Sequence, residues 1–527
     1  MYARLGIIAA VIVVEVLLAS YLIQMTPVDF IAGPARLLRE VQHWLFRFLI
    51  AYVVSLAMLV VLRGGATRSA FAAAGLDAPV RPFWGIAHGL LLVPFAFLSA
   101  DLYRTSPTLP FAVLAVAWHA CGVAAALALL AAMAPFPAWA KAARSTGGLP
   151  AYALLPAAAA IAAIQGSQML WAPAARLTFG LVEVLLQPFL PTLHSDASTL
   201  TVSSGRFAVT ISEVCSGLEG VGLMLAFCAA WLWCFRREYY FPRALLVVPL
   251  GVLLVFLLNA VRIAALVLIG DAGFERVAAV GFHSQAGWIA FSAAAFAIAI
   301  LAQRNPWLCR TAGTPRTRAS NPTAAYLIPL LAILAAGMIA HALSSGFDLL
   351  YPLRLAGAIG ALWLYRRAYA GLDLRFSWRA LLLGAALFGL WVLCARIFTA
   401  PAREPLALTS LPQPLRAAWI GCRLLAATVT VPLAEELAYR GYLMRRLISP
   451  RFESVAFAEV RWPALMWSAV AFGIMHGSLW PAGILAGLAY GAIARNTGRL
   501  GEAIAAHGTT NALLAGYVLL FGQWQLW

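Results

Sequence analysis

The chain has 527 residues, 63% of them hydrophobic and only 11% charged, with a formal net charge of +17. Soluble domains run at roughly 45–50% apolar and about 25% charged, so this composition excludes a water-soluble fold and makes lipid the solvent for most of the chain. The basic excess is nearly all arginine, Lys141 being the sole lysine. These arginines fall in short loops between apolar runs, which points to membrane topology and not to a nucleic-acid partner.

A membrane span needs about 20 mostly apolar residues. The first such run, 5–25, has no small-residue cleavage site after it and is interrupted by Glu15, so it reads as a retained span, not a removed signal peptide. Spans follow at 44–62, 84–100, 110–133 and 151–171. An interfacial helix is expected at 174–191, and the alternating Val, Phe and Thr of 193–214 predict a small β-hairpin on the outer surface. Spans resume at 217–235, 244–268 and 285–302. The Arg-, Pro- and Thr-rich stretch 303–323 reads as a cytoplasmic linker. Beyond it come 324–343, 350–366, 379–398, 417–436, 464–478, 480–494 and 502–521. The expectation is an all-α, polytopic integral membrane protein of about fifteen helices in two bundles. Placing the N-terminus inside puts every dense arginine cluster on the inner side. The seven cysteines lie mostly in apolar runs without CxxC spacing and predict no disulfide framework.

On this topology Cys215 lies where EVCSGLEG enters a span, Arg262 lies near the outer end of the next helix in NAVRI, and His283 lies in GFHSQAGW before the helix that returns inward. Three reactive side chains distant in sequence thus reach one membrane face. A helix entry and a guanidinium both lower a thiol pKa. A histidine can carry the proton, and an arginine can hold an acyl oxyanion. Taken singly, Cys215 reads as a small apolar filler and His283 as a bonded loop residue. Arg262, costly within a span, is functional by default.

The set CSGLEG, NAVRI and FHSQAGW resembles the exosortase/archaeosortase family of membrane transpeptidases over roughly residues 1–302. The resemblance implies Cys215 as nucleophile, Arg262 as electrostatic partner and His283 as general acid or base, with no cofactor. It also implies exported protein substrates bearing a C-terminal motif, a hydrophobic span and a basic tail, cut on the periplasmic face of a bacterial inner membrane.

The second constellation opens with VPLAEELAYRGYL, which sets Glu435 and Glu436 at the end of an apolar helix. Glu436 and Arg440 are i, i+4 and can pair on one face, while Glu435 points about 100° away and is left for other work. FGIMHGS brings His476, and AAHGTTNALL brings His507 and Asn511, again i, i+4. Buried groups of this kind are expensive unless they share a polar cavity. There Glu435 could activate water, and the histidines could bind a metal or polarise the substrate.

The pattern EExxxR, FxxxH, HxxxN is similar to the intramembrane proteases of the CPBP or Abi group, which includes the prenyl-protein endopeptidases, over residues 324–527. It implies Glu435 as activator of the attacking water, His476 for water or metal contact, and His507 with Asn511 around the oxyanion, supported by Glu436 and Arg440. His476 and His507 are the candidate ligands if a metal is used; no tightly bound zinc is expected. The join of the two halves resembles the fused exosortase E subtype. The whole reads as a bifunctional membrane peptidase, with 1–302 and 324–527 as its domains. The rival readings are a polysaccharide transporter or flippase, and a non-catalytic immunity or scaffold role for the second half. One tension remains in this reading: Glu435 and His507 fall near the inner leaflet and His476 near the outer end of a short span, which makes 464–494 re-entrant or its boundaries wrong.

Overall fold

The computed structural model describes residues 81–102, 108–212, 215–310, 321–399 and 404–527, with scattered positions before 81. The expected span 5–25 lies outside the described residues, and 44–62 almost wholly so. Among the described residues ten helices are long and apolar enough to cross a membrane, or eleven if the bent pair Phe136–Ser145 and Leu149–Ala162 is one span, and three shorter apolar helices accompany them. Their outer faces carry large apolar side chains in the open: Phe97, Met169 and Leu520 are 74%, 82% and 80% exposed. A soluble protein does not present such surfaces in bulk. The chain is a multi-pass, all-α membrane protein with one small sheet.

It forms two compact units, Met1–Leu170 and Trp171–Trp527. In the first, α1 (Pro82–Leu102) and α2 (Phe111–Met133) make an antiparallel hairpin. His88 Nδ1 lies 2.9 Å from the Ala125 carbonyl, the Cys121 thiol donates to the Leu91 carbonyl, and Trp118 Nε1 donates to Ser99 Oγ. The pairs run in opposite order along the two helices, as a hairpin requires. The helix α3 (Phe136–Ser145) follows.

Residues 151–191 correct the sequence reading. In place of a span ending at 171 and an interfacial helix from 174, one helix, α4, runs from Leu154 to Leu186. Pro173 stands at the expected break, but a proline removes only a single ladder hydrogen bond and the helix continues through it. After α4 the expected hairpin is a three-stranded antiparallel meander of β1 (His194–Asp196), β2 (Thr201–Ser203) and β3 (Ala208–Thr210), with Val202 opposite both Ser195 and Val209. So small a sheet cannot stand alone. Val202 and Ile211 are buried against Phe179, Val182 and Leu186 of α4 and against Ile263 and Val267 of α6. The helices α5 (Leu218–Cys234), α6 (Val247–Asp271) and α7 (His283–Arg304) follow, a π-helical turn at Val277–Phe282 leading into α7.

The described chain resumes at 321, and α8 (Pro322–Ala342) starts with Asn321, whose side chain accepts from the Ala324 N–H, and with proline in the first turn. It packs on α7 and on the π turn before it. The closest approach is at Gly281, where any Cβ would collide with the carbonyl oxygens of His341 and Ser344. Next come α9 (Pro352–Leu364) and α10 (Trp378–Phe398).

The expected span 417–436 proves longer: α11 runs unbroken through Gln413–Arg446. Arg440, four residues past the expected end at 436, is buried and paired to Glu436 at 3.0 Å, so its charge does not force the chain out into water. Glu435 therefore stands in the interior of a helix and not at an inner membrane edge. The helix α12 (Trp462–Ile474) has 13 residues. It rises only about 20 Å, short of a hydrocarbon thickness of about 30 Å. The chain returns through α13 (Trp480–Thr497), packed on α12 so closely that a Cβ on Gly483 would lie 2.9 Å from the Gly473 Cα. Close approach through glycine is how helices bind in lipid. The last helix is α14 (Leu500–Phe521).

Candidate functional sites

Cys215, Arg262 and His283, drawn from three separate stretches, line one cavity of about 220 Å³ together with Glu219, Asn259 and Trp288. Backbone contacts place the cysteine. Its N–H donates to the Ser212 carbonyl at 2.9 Å, its carbonyl accepts from Asn259 Nδ2 at 3.0 Å, and Thr178 Oγ1 donates to the next carbonyl, Ser216, at 3.1 Å. Gly217 then turns the chain into α5 with φ of 87°, where a Cβ would also lie 3.0 Å from the Asn259 amide. Only glycine takes that conformation without strain against so near a neighbour.

Arg262 lies one turn beyond Asn259 on α6. A Cβ on Gly287 of α7 would come within 2.8 Å of its Nη1, so the guanidinium rests against bare backbone. His283 opens α7. Partial burial first, and the Arg262 charge second, hold its imidazole below the ordinary histidine range. The site thus presents a buried thiol, a fixed cation and a base that favours its neutral form. Asn259 was quoted in NAVRI without a role; its part is a backbone clamp, which no spacing rule reveals.

A second cavity, of about 190 Å³, is lined by Glu435, His476, His507 and Asn511, with Phe472, Tyr490, Arg423, Tyr351 and Trp527 among its other walls. All four residues expected there meet in it, which resolves the conflict over depth. Glu435 is internal to α11, and His476 is carried inward by the short α12. Glu435 and Glu436 sit on a six-residue α-helical stretch, Val431–Glu436, between two π-helical segments, Ala426–Thr430 and Leu437–Leu443. Wide turns of this kind inside helices cluster at functional sites because they redirect side chains and free carbonyls. One freed carbonyl, Ala427, accepts from Asn511 Nδ2 at 2.9 Å.

The adjacent glutamates divide the work. Glu436 is fully buried, and its Oε1 accepts from Arg440 Nη1 and from His507 Nδ1, both at 3.0 Å. Arg440 also donates to the Gly487 carbonyl and lies 4.4 Å over the Phe472 ring. Glu435 Oε2 is shielded, has no hydrogen-bond partner among the described residues, and stands 3.7 Å from His507 Nε2. Because a carboxylate can only accept, the proton of neutral His507 lies on Nδ1 and Nε2 presents a lone pair. The ring stacks on Tyr490 at 4.9 Å, and Tyr490 is itself held by Thr510 at 2.8 Å. His476 follows the same logic: Nδ1 donates to the Phe472 carbonyl at 2.8 Å, leaving Nε2 to the cavity side. Phe472, Tyr490 and Arg423 escaped the sequence reading because aromatic and basic residues at helical spacing look like ordinary packing and helix ends.

As to a metal, the two Nε2 atoms and Glu435 are suitable donors in kind, but among the described residues no three His, Cys, Asp or Glu groups converge as a preformed ligand set.

Residues 417–513 match the family model described as "Type II CAAX prenyl endopeptidase Rce1-like". The match spans Glu435, Glu436, Arg440, His476, His507 and Asn511 and marks this part of the chain as a membrane-protease domain of the CAAX type. No curated protein matches the chain, and neither does any solved structure.

Proposed function

We propose that the Glu435 cavity hydrolyses peptide bonds inside the membrane. The observation that carries this reading is the unpartnered Glu435 Oε2 facing the His507 Nε2 lone pair at 3.7 Å within the Rce1-like segment. That separation suits a water donating one hydrogen to each. The water oxygen attacks the scissile carbonyl carbon and its proton passes to Glu435. The C–N bond then breaks, and Glu435 returns the proton to the leaving amine. Asn511, with one N–H on Ala427, has a second for the oxyanion. Glu436 and Arg440 fix the tautomer and angle of His507 and do not touch the reacting atoms. Glu435→Gln in the full-length membrane protein should slow cleavage of a quenched fluorescent membrane peptide by about 10²–10⁴-fold; unchanged cleavage would sink the reading.

We further propose that residues 1–302 form a cysteine transpeptidase of exosortase type and 324–527 the intramembrane protease, joined by 303–323. The convergence of Cys215, Arg262 and His283 on one cavity supports it. Neutral His283 takes the proton of the Cys215 thiol as the sulfur attacks the carbonyl carbon of the sorting signal; the C–N bond breaks, a thioester forms, and the amine leaves with that proton. An acceptor nucleophile then displaces the thiol. On this reading the protein sits in a bacterial inner membrane with Cys215 outward, and its partners are exported proteins with a C-terminal motif, a span and a basic tail. A tagged substrate co-expressed with the wild type, Cys215→Ala or Glu435→Ala is the test. Cys215→Ala alone should leave the exported protein uncut, and loss only with Glu435→Ala would reverse the assignment.

A further inference from the structure

We propose that Arg423 forms a carboxylate-binding subsite at the far end of the Glu435 cavity, setting how far from a substrate carboxylate the cut falls. The proposal rests on the reading of that cavity as a peptidase site. Arg423, Ala427, Val431 and Glu435 all line the cavity, each four residues after the last along α11. In a plain α-helix of 3.6 residues per turn this spacing would drift round the axis. The wider π turn at Ala426–Thr430 absorbs the surplus and keeps the four on one face. Twelve residues rise about 18 Å, the length of roughly five residues of extended peptide.

The two ends carry opposite surplus charge. At one end Glu435 and Glu436 face the single cation Arg440, leaving one carboxylate over. At the other end Asp348 is bound to Arg354 at 2.6 Å and also attracts Arg423, so that two cations share one carboxylate and a positive charge is left over. Its guanidinium lies 4.1 Å over the Tyr351 ring and 5.5 Å from the Trp527 ring, and its Nε is shielded without a hydrogen-bond partner. A cation within a span is expensive unless something repays it. Aromatic faces offset part of the cost and also hold the planar fork ready for a bidentate anion. An apolar peptide laid along α11 would meet Glu435 at its scissile bond and Arg423 with a carboxylate, either its own C-terminus or an acidic side chain.

The test uses the full-length Glu435→Gln protein in lipid nanodiscs, with binding of three probes measured at equilibrium. These are an apolar heptapeptide with a free C-terminal carboxylate, its C-terminal amide, and the amide ending in glutamate. The free acid should bind about tenfold or more tightly than the amide, as a charge-assisted hydrogen bond gives. Arg423→Gln should erase that ratio, and Arg423→Lys should keep part of it. A glutamate-ended amide that matches the acid identifies a side-chain carboxylate; one that does not identifies the chain end. Equal or undetectable binding of acid and amide overturns the proposal. So does an Arg423→Gln variant that weakens both alike, since that is the signature of packing. If instead the wild type and Glu435→Gln cleave the acid peptide equally, the peptidase reading fails, while the binding ratio still decides the subsite.

Discussion

The two cavities solve one problem, holding reactive groups in lipid, in different ways. Around Cys215 the positioning is done by backbone: carbonyls of 215 and 216 are gripped by Asn259 and Thr178, and Arg262 rests on the bare glycine at 287. Around Glu435 it is done by charge, with Glu436 binding both Arg440 and His507 at full burial. The first arrangement depends on shape and tolerates loss of a charge. The second depends on a buried network of charge-assisted hydrogen bonds, where removing one member strands another.

Four kinds of effect would break or sharpen that contrast. The largest effect is chemical: Glu435→Gln should cost about 10²–10⁴-fold in cleavage of a membrane peptide. Cys215→Ala should abolish the outer cut on a tagged exported protein. Each should spare the other reaction, and any cross-effect would show the sites coupled. Next is stability. Glu436→Gln leaves Arg440 buried without its partner, an expected loss of about 3–5 kcal/mol, read as denaturant resistance in detergent. The double variant Glu436→Gln, Arg440→Met should recover much of it, and Arg262→Gln should cost far less. Third, Gly287→Ala displaces the Arg262 guanidinium and should lower the Cys215-dependent rate up to about 100-fold, without change in the Glu435-dependent rate. The smallest effect is on pH. With the folded-state pKa of His283 lowered by burial and then by Arg262, its neutral form persists below the ordinary value of about 6.5. The acid limb of the outer reaction should therefore lie below that pH. Arg262→Gln removes the repulsion and should move the limb upward, measured on whatever residual rate survives.

Much of this was legible in the sequence because burial in lipid makes polar residues conspicuous. Cys215, Arg262 and His283 were found as rare polar groups near span ends, and the four-residue spacing of Glu436 with Arg440 gave their pairing directly. His507 and Asn511 line one cavity as their spacing predicts. What was not legible shares a physical cause: it depends on single-residue adjustments of the backbone. The π segments flanking Glu435 leave no mark on hydropathy, so the span is expected to stop at 436, while α11 continues to Arg446. The break expected between 171 and 174 is absent because the helix continues through Pro173. Asn259 acts on a carbonyl, and carbonyls have no letters.

The contact at Gly281 bears on how such a chain came about. On the two-enzyme reading proposed above, parts made separately would need a matched surface to meet in the bilayer, and the seat of Gly281 on the carbonyls of His341 and Ser344 would supply one. The covalent join then serves stoichiometry and synthesis, and adhesion is left to the seam. Proteolytic nicking between residues 310 and 321 should leave both pieces travelling together through purification, whereas a bulky residue at 281 would loosen them even with the peptide chain intact.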